Sequence, residues 1–290
     1  TDMKIVLASG GLGNQMFQYA FLVAVRETFN KEVLMDTSLF KGRDFHNGFE
    51  LTKLFNITAK EAEKKDIKKL TPYFTNYYFS RIYWKYFPRK KTECQEINHC
   101  EYNDKILTED KDLYFYGIWQ NPKYFNHFKD VIVKEFTFKT VMNAKNEEAL
   151  AYIQKSPTTS IHIRRGDYLK YANYRGLCGV EYYNDAINYV KEKYHDNKFI
   201  IFSNDMEWGK ENIVPIIGER EHICADWNKG SESYNDMRLM SLCDRNIIAN
   251  SSFSWWAAYL NQHKDKEIIA PKIWTNSPVK FNRQLDSWTL

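Results

Sequence analysis

The second half of the chain alternates short apolar runs with segments of helical spacing. Residues 159–163, 198–203, 222–224, 245–249 and 267–270 are rich in β-branched or aromatic residues and are short enough to be buried strands. Between them, 180–194, 233–242 and 253–261 repeat apolar positions at helical intervals. A helix over 144–156 precedes the series and stops at Ser156-Pro157, because proline disfavours the helical conformation of the residue before it. Repeated strand–helix units imply a parallel sheet with right-handed crossovers. The chain opens in the same way. A strand over 4–8 runs into a glycine loop over 9–15. Met16, Phe17, Ala20, Phe21, Ala24 and Val25 then recur on a helix, and a second strand covers 32–36. The expected architecture is α/β, with two Rossmann-like domains, 1–155 and 156–290, facing each other across a cleft that holds the ligand.

The region between is less regular. Thr58-Ala59-Lys60-Glu61 reads as a capping box opening a charged helix that runs to about Leu70. Residues 113–119 read as a strand. From Tyr73 to Phe87 aromatic residues dominate, flanked by Arg81, Lys85, Arg89, Lys90 and Lys91. Those rings fill the core of the amino-terminal half in the favoured reading. In the other they stack on sugars or lie on a membrane surface.

Charge and cysteine usage narrow the class. Among 290 residues, Lys plus Arg (41) exceed Asp plus Glu (37) by four, too balanced for a nucleic-acid partner. Five scattered cysteines without a Cys-x-x-Cys pair point to reduced thiols rather than disulfides or zinc. No apolar run reaches the ~20 residues of a membrane span, and no signal peptide opens the chain. The expected location is cytoplasmic, with peripheral contact at the inner membrane face at most. The first residue is Thr rather than Met, so the native start stays open.

Candidate chemistry gathers at strand ends, where open α/β sheets place their ligands. His162-Ile163-Arg164-Arg165-Gly166-Asp167-Tyr168 delivers two arginines there. Neighbouring arginines on a strand point to opposite faces, so one reaches into the crevice while the other braces the loop against Asp167. Arginine binds phosphate with two prongs, although an ordinary surface Arg–Asp pair would have the same sequence. The loop Gly10-Gly11-Leu12-Gly13-Asn14-Gln15 offers glycines and a helix N-terminus to an anion. Met16 stands where a dinucleotide fingerprint has its third glycine, and no P-loop Gly-Lys-Ser/Thr follows. Phe202-Ser203-Asn204-Asp205 closes another strand. Asn250-Ser251-Ser252-Phe253-Ser254 closes a third and opens a helix, as caps or as phosphate donors. Three such loops favour a nucleotide-diphosphate ligand. Asp110 and Asp112 form an Asp-x-Asp pair of the kind that holds a divalent metal. They precede a strand in a charged run, so we read them as a solvated turn.

The sequence resembles glycosyltransferase family 11, the α-1,2-fucosyltransferases. The resemblance is carried by Gly10 to Ala20, His162 to Tyr168, Phe202 to Asp205 with Glu207-Trp208, Asp226-Trp227-Asn228, Asp236-Met237, and Asn250 to Trp256 with Ala257. It implies a GT-B fold and inverting transfer of L-fucose from GDP-fucose to a β-galactoside 2-hydroxyl, with no metal or other cofactor. By the same resemblance, Arg164 meets the donor's β-phosphate, and His162 and Asp236 flank the guanine. Ser251 and Ser252, with Phe253 beside them, lie near the pyrophosphate. Gly11, Gly13 and Asn14 belong to the loop that closes over the donor. Asp244-Arg245 and Ala257 depart from the family pattern. Asp167 is the nearest carboxylate to the arginines; one already bonded to arginine is a poor base, so bracing ranks ahead of proton removal. Two rivals are an NAD-dependent oxidoreductase, against which the missing glycine weighs, and a sugar-binding protein without catalysis. The acceptor glycan and oligomeric state stay open.

Overall fold

The computed structural model describes residues 2–41, 46–71, 82–83, 85–96, 100–277 and 283–289. They divide into two units, Thr1–Thr140 and Val141–Leu290.

The first unit holds a parallel sheet ordered β2-β1-β4-β3, with β1 at Lys4–Leu7, β2 at Val33–Asp36, β3 at Glu93–Gln95 and β4 at Leu113–Tyr116. Helix α1, Leu12–Phe29, begins inside the expected loop. Gly11 stands at its N-cap, and Asn14 and Gln15 both donate backbone N–H to Gly11 O, so the later loop residues form the first turn. It ends at Asn30 in the left-handed conformation (φ 50°), a standard helix stop. Two short helices follow, α2 at Leu51–Leu54 and α3 at Lys64–Leu70. The capping box does not start a helix, because its threonine is engaged elsewhere. Thr58 N donates to Tyr19 Oη (3.0 Å) and its Oγ1 to Glu135 (3.2 Å). Residues 60–62 instead run beside Met35 as an extension of the sheet. Strand β4 stops short of 119: the Glu96 carboxylate accepts from Ile118 N (2.7 Å) and Trp119 N (3.1 Å), bending the chain to φ 59° at Trp119. Helix α4, Lys129–Glu135, completes the unit and presents Glu135 to Tyr19, Arg26 and Thr58. In the aromatic stretch, Tyr83 is buried and reaches Glu93, as the core reading expects. Tyr86 (68% exposed) and Phe87 (55%) are not core, and 73–81 and Trp84 lie outside the described residues.

The second unit begins with α5, Ala144–Lys155. The helix ahead of the expected division at 155 therefore belongs here, held by Asn146 on Asn228 and by Tyr152 Oη on Phe199 O (3.2 Å). Its parallel sheet is ordered β7-β6-β5-β8-β9: β5 Thr158–Ile163, β6 Lys198–Ser203, β7 His222–Ala225, β8 Arg245–Ile247, β9 Glu267–Ile269. Helices α6 (Val180–Lys193), α7 (Met206–Asn212), α8 (Val214–Ile217), α9 (Tyr234–Ser241) and α10 (Ser252–Leu260) connect the strands. Ile161, Ile163, Phe199, Ile201 and Ile247 pack under Tyr183, Ile187 and Val190 of α6. Each contributes about 1.5–3 kcal/mol by leaving water. The chain leaves β5 toward β6 and leaves β8 toward β9, so the adjacent carboxyl ends of β5 and β8 form a topological switch point.

Candidate active site

The loops after β5 and β8 meet at that switch point. His162 and Arg164, two residues apart, fall on one side of the strand end. His162 is buried, with its ring against Phe253 at 5.8 Å between centroids. Burial, and secondarily the charge of Arg164, pushes its pKa down to about 3, so the imidazole is neutral. Its carbonyl accepts from Tyr183 Oη (2.8 Å), which fixes the backbone. Its Nδ1 is buried without a hydrogen-bond partner among the described residues, and so is Nε of Arg164. Arg164 Nη2 donates to Asp167 Oδ2 (2.8 Å), and its guanidinium lies 5.2 Å from the Tyr168 ring.

The bracing arginine is Arg165, but its partner is not Asp167. Arg165 pairs with Asp205 (3.4 Å), stacks over Trp208 at 4.1 Å and donates its backbone N–H to Asn204 Oδ1 (2.9 Å). Asp167 instead bridges Arg164 and Asn204 Nδ2 (3.3 Å). Beyond the strand, Gly166–Lys170 form a short 3₁₀ turn, and its spacing brings Asp167 back to Arg164, three residues earlier. Gly166 permits this close approach: a Cβ there would lie 2.6 Å from Asn204 Nδ2. The 202–205 loop is thus used internally. Ser203 Oγ accepts from Asp205 N (2.9 Å), and Asp205 caps α7 through Trp208 N (3.4 Å).

Across the switch point, Ser251 caps α10 by accepting from Phe253 N (3.3 Å), which leaves Ser252 half-buried in the first turn. Opening N–H groups of a helix lack intrahelical acceptors and favour an anion. Buried Asn250 sets the turn, donating to Trp274 O (3.3 Å) and accepting from Cys178 Sγ (3.5 Å). Tyr168 Oη donates to Asn250 O (3.4 Å), tying the arginine loop to the serine loop.

Asp236 belongs to a separate cluster beyond β7. Its Oδ1 accepts from Asn228 Nδ2 (2.8 Å), and burial raises its pKa to about 7 against the lowering effect of that bond. No contact joins it to His162 among the described residues.

Gly11, Gly13 and Asn14 lie in the first unit at the carboxyl end of β1. Gly10 adopts φ +75°, where a Cβ would sit 2.7 Å from Asn14 Nδ2. Two buried glutamines, to which the sequence alone assigns no task, hold the loop. Gln15 donates to Gly10 O (3.0 Å) and Gly48 O (2.9 Å) and accepts from Glu50 N (3.0 Å). Gln18 accepts from Ser9 N (2.8 Å) and donates to Ser9 Oγ (2.8 Å) and Gly117 O (3.0 Å). Gln120 then fixes Asn14 Oδ1 (2.7 Å). Asp110 and Asp112 stand at the opposite, amino-terminal edge. Lys4 (3.1 Å) and Lys31 (2.6 Å) hold Asp110, and Met3 N donates to Asp112 (2.5 Å). Among the described residues no three His, Cys, Asp or Glu side chains gather as a metal site, and no helix is long and apolar enough to cross a membrane.

The sequence profile of Glycosyl transferase family 11 matches residues 2–289. The chain is 35% identical over 278 residues to Alpha-1,2-colitosyltransferase of Escherichia coli, spanning 94% of this chain and 93% of that protein. It is 31% identical to O-antigen biosynthesis glycosyltransferase WbnK of Escherichia coli, spanning 97% of each. The solved structure of NodZ alpha-1,6-fucosyltransferase soaked with GDP-fucose matches with TM-score 0.51 at 10% identity, over 89% of this chain and 92% of that one. At that identity the likeness speaks of fold, and the fold is GT-B. With a profile match running almost end to end over two parallel α/β sheets, the protein is a glycosyltransferase and belongs to glycosyl transferase family 11.

Proposed function

We propose that the protein transfers L-fucose from GDP-fucose to the 2-hydroxyl of a terminal galactose in a glycan, with inversion and without a required metal. One observation carries the donor site. Two buried nitrogens at the switch point, His162 Nδ1 and Arg164 Nε, have no hydrogen-bond partner among the described residues, beside the opening turn of α10. Buried polar groups are nearly always bonded, so an unpartnered pair marks a place for a ligand. A guanidinium and a helix N-terminus together select an anion, and a sugar nucleotide supplies one as its diphosphate.

The chemistry follows from charge. As the acceptor oxygen approaches the anomeric carbon from the face opposite the diphosphate, the leaving bond lengthens and negative charge collects on the β-phosphate. Donors already aimed there stabilise that charge without reorganising. Arg164 is held for this by Asp167 and the Tyr168 ring, and Ser252 stands at the helix opening opposite. These groups do the work a metal would otherwise do. Asp167, bonded on both sides, steadies Arg164 rather than accepting the acceptor's proton, which is released as the new C–O bond forms and GDP departs.

A second donor, GDP-linked colitose, is favoured by the 35% identical colitosyltransferase. Colitose is fucose without its 3-hydroxyl, so one site takes both unless it hydrogen-bonds that hydroxyl. Incubation with each donor and a panel of β-galactosides, with and without chelator, followed by linkage determination by NMR, tests both readings. The expected product carries an α-1,2 linkage at unchanged rate in chelator. A different linkage, or loss of activity in chelator, refutes the corresponding part.

A further inference from the structure

Trp227, Asn228 and Asn146, an asparagine outside every recognised motif, form a directional relay that ends on Asp236. The Trp227 indole nitrogen can only donate, and it meets Asn146 Oδ1 at 2.9 Å. That contact decides which way the Asn146 amide faces. Its Nδ2 is left to donate to Asn228 Oδ1 (2.9 Å) and to Asn143 Oδ1 (3.0 Å). Asn228 is decided in turn. Its Oδ1 is occupied, so its Nδ2 donates back to Asn146 Oδ1 (2.8 Å) and onward to Asp236 Oδ1 (2.8 Å). Reversing either amide would set oxygen against oxygen inside a buried cluster. Asp236 Oδ2 has no hydrogen-bond partner among the described residues.

We infer that Asn146 is a positioning residue. Acting through Asn228, it fixes Asp236 as a paired acceptor for the N1–H and N2–H donors of a guanine base. The second lone pair of Oδ1 and the free Oδ2 present the two acceptors that this edge needs. Adenine, with an acceptor at N1, would face the carboxylate with like polarity. The inference rests on the reading that a GDP-sugar is the donor and that Asp236 lies at its base.

The relay also acts on charge. Burial raises the Asp236 pKa, and among the described residues the Asn228 donor alone pulls it back. Among the described residues no charged side chain shifts it, neither Lys145, Glu147 or Glu148 of α5 nor Glu232 and Arg238 at and along α9; Lys145 lies over the Trp227 ring at 5.9 Å, and Glu232 accepts from Asn235. Helix α10 carries no charged residue. A protonated Asp236 would offer an O–H where the base needs an acceptor.

Calorimetric titration of the full chain with GDP and with ADP, from pH 5.5 to 8.5, tests this. In Asn146→Leu the GDP Kd at pH 7.5 should weaken about tenfold, the scale of one hydrogen bond to a charged group. The acid limb of GDP affinity should also move up by about one pH unit. The effect should sit in KM for the donor, with kcat at saturation within about twofold. Trp227→Phe removes only the donor that orients Asn146, and should shift the limb the same way by a smaller amount. It carries the test if Asn146→Leu does not melt cooperatively. An unmoved limb in a folded variant overturns the inference, as does an equal loss at every pH with kcat falling alongside. Asp236→Asn separates the two levels. If it binds GDP like wild type, the base-side reading itself is wrong. If it loses affinity while Asn146→Leu does not, only the relay is wrong.

Discussion

Replacing Arg164 with alanine separates a catalytic guanidinium from a structural one, because the two roles predict opposite magnitudes. The only ion pair lost among the described residues is with Asp167, and both side chains are substantially exposed (33% and 46%). Such a pair is worth about 0–1 kcal/mol, so the urea midpoint should hardly move. The unpartnered Nε is lost along with the rest of the group, which removes a buried polar atom that cost stability and pulls the net change closer to zero. The rate should behave otherwise. A preorganised donor to developing charge contributes about 3–4 kcal/mol, so kcat should fall by about 10²–10³. Arg164→Lys keeps the charge but not the planar fork and should recover only part of the loss. Single-turnover transfer at saturating donor, beside urea unfolding of the same preparations, provides both numbers. Transfer within about threefold of wild type in Arg164→Ala would refute the phosphate role. An unfolding free energy lowered by several kcal/mol would make the arginine a structural group.

Three further outcomes follow from the same geometry. His162 is buried neutral with its pKa lowered from 6.5 to about 3, so the unfolded chain binds the extra proton between those values; its stability contribution is complete above pH 6.5 and falls by about 2 kcal/mol at pH 5. Urea unfolding at pH 5 and 8 should show that slope flattened by this amount in His162→Phe, and an unchanged slope would place the titration elsewhere. Gly117→Ala puts a Cβ 2.6 Å from Glu96 Cβ and 2.8 Å from the Trp119 ring, both buried, and should cost about 1–3 kcal/mol by thermal melting. Gln18→Leu leaves Ser9 N–H and Gly117 O without their partner and should cost about 2–4 kcal/mol, read as a lower melting temperature.

What was legible in the sequence was what periodicity and local chemistry carry. The strands and helices of the second half announce themselves because each strand is buried and each helix has one apolar face. The carboxyl-end placement of Arg164 and Ser251 follows from strand order alone. Long-range bonds were not legible. The Thr58 capping box was misread because Tyr19 and Glu135, distant in sequence, claim its donors. Nothing local marks Asn146, since its partner Asn228 lies 82 positions on. Asp167 was assigned to the wrong arginine because the competing Asp205 arrives from the next strand. The division at 155 missed α5 for the same reason: nothing local says that Tyr152 bonds Phe199.

The claim on which the function rests is that a nucleotide's diphosphate lodges where β5 and β8 part. A crystal structure with bound GDP measures this directly. The β-phosphate oxygens should lie about 3 Å from the Arg164 guanidinium and from the opening N–H groups of α10, with His162 Nδ1 newly bonded. A diphosphate seated elsewhere, with those nitrogens still unpartnered, would contradict it.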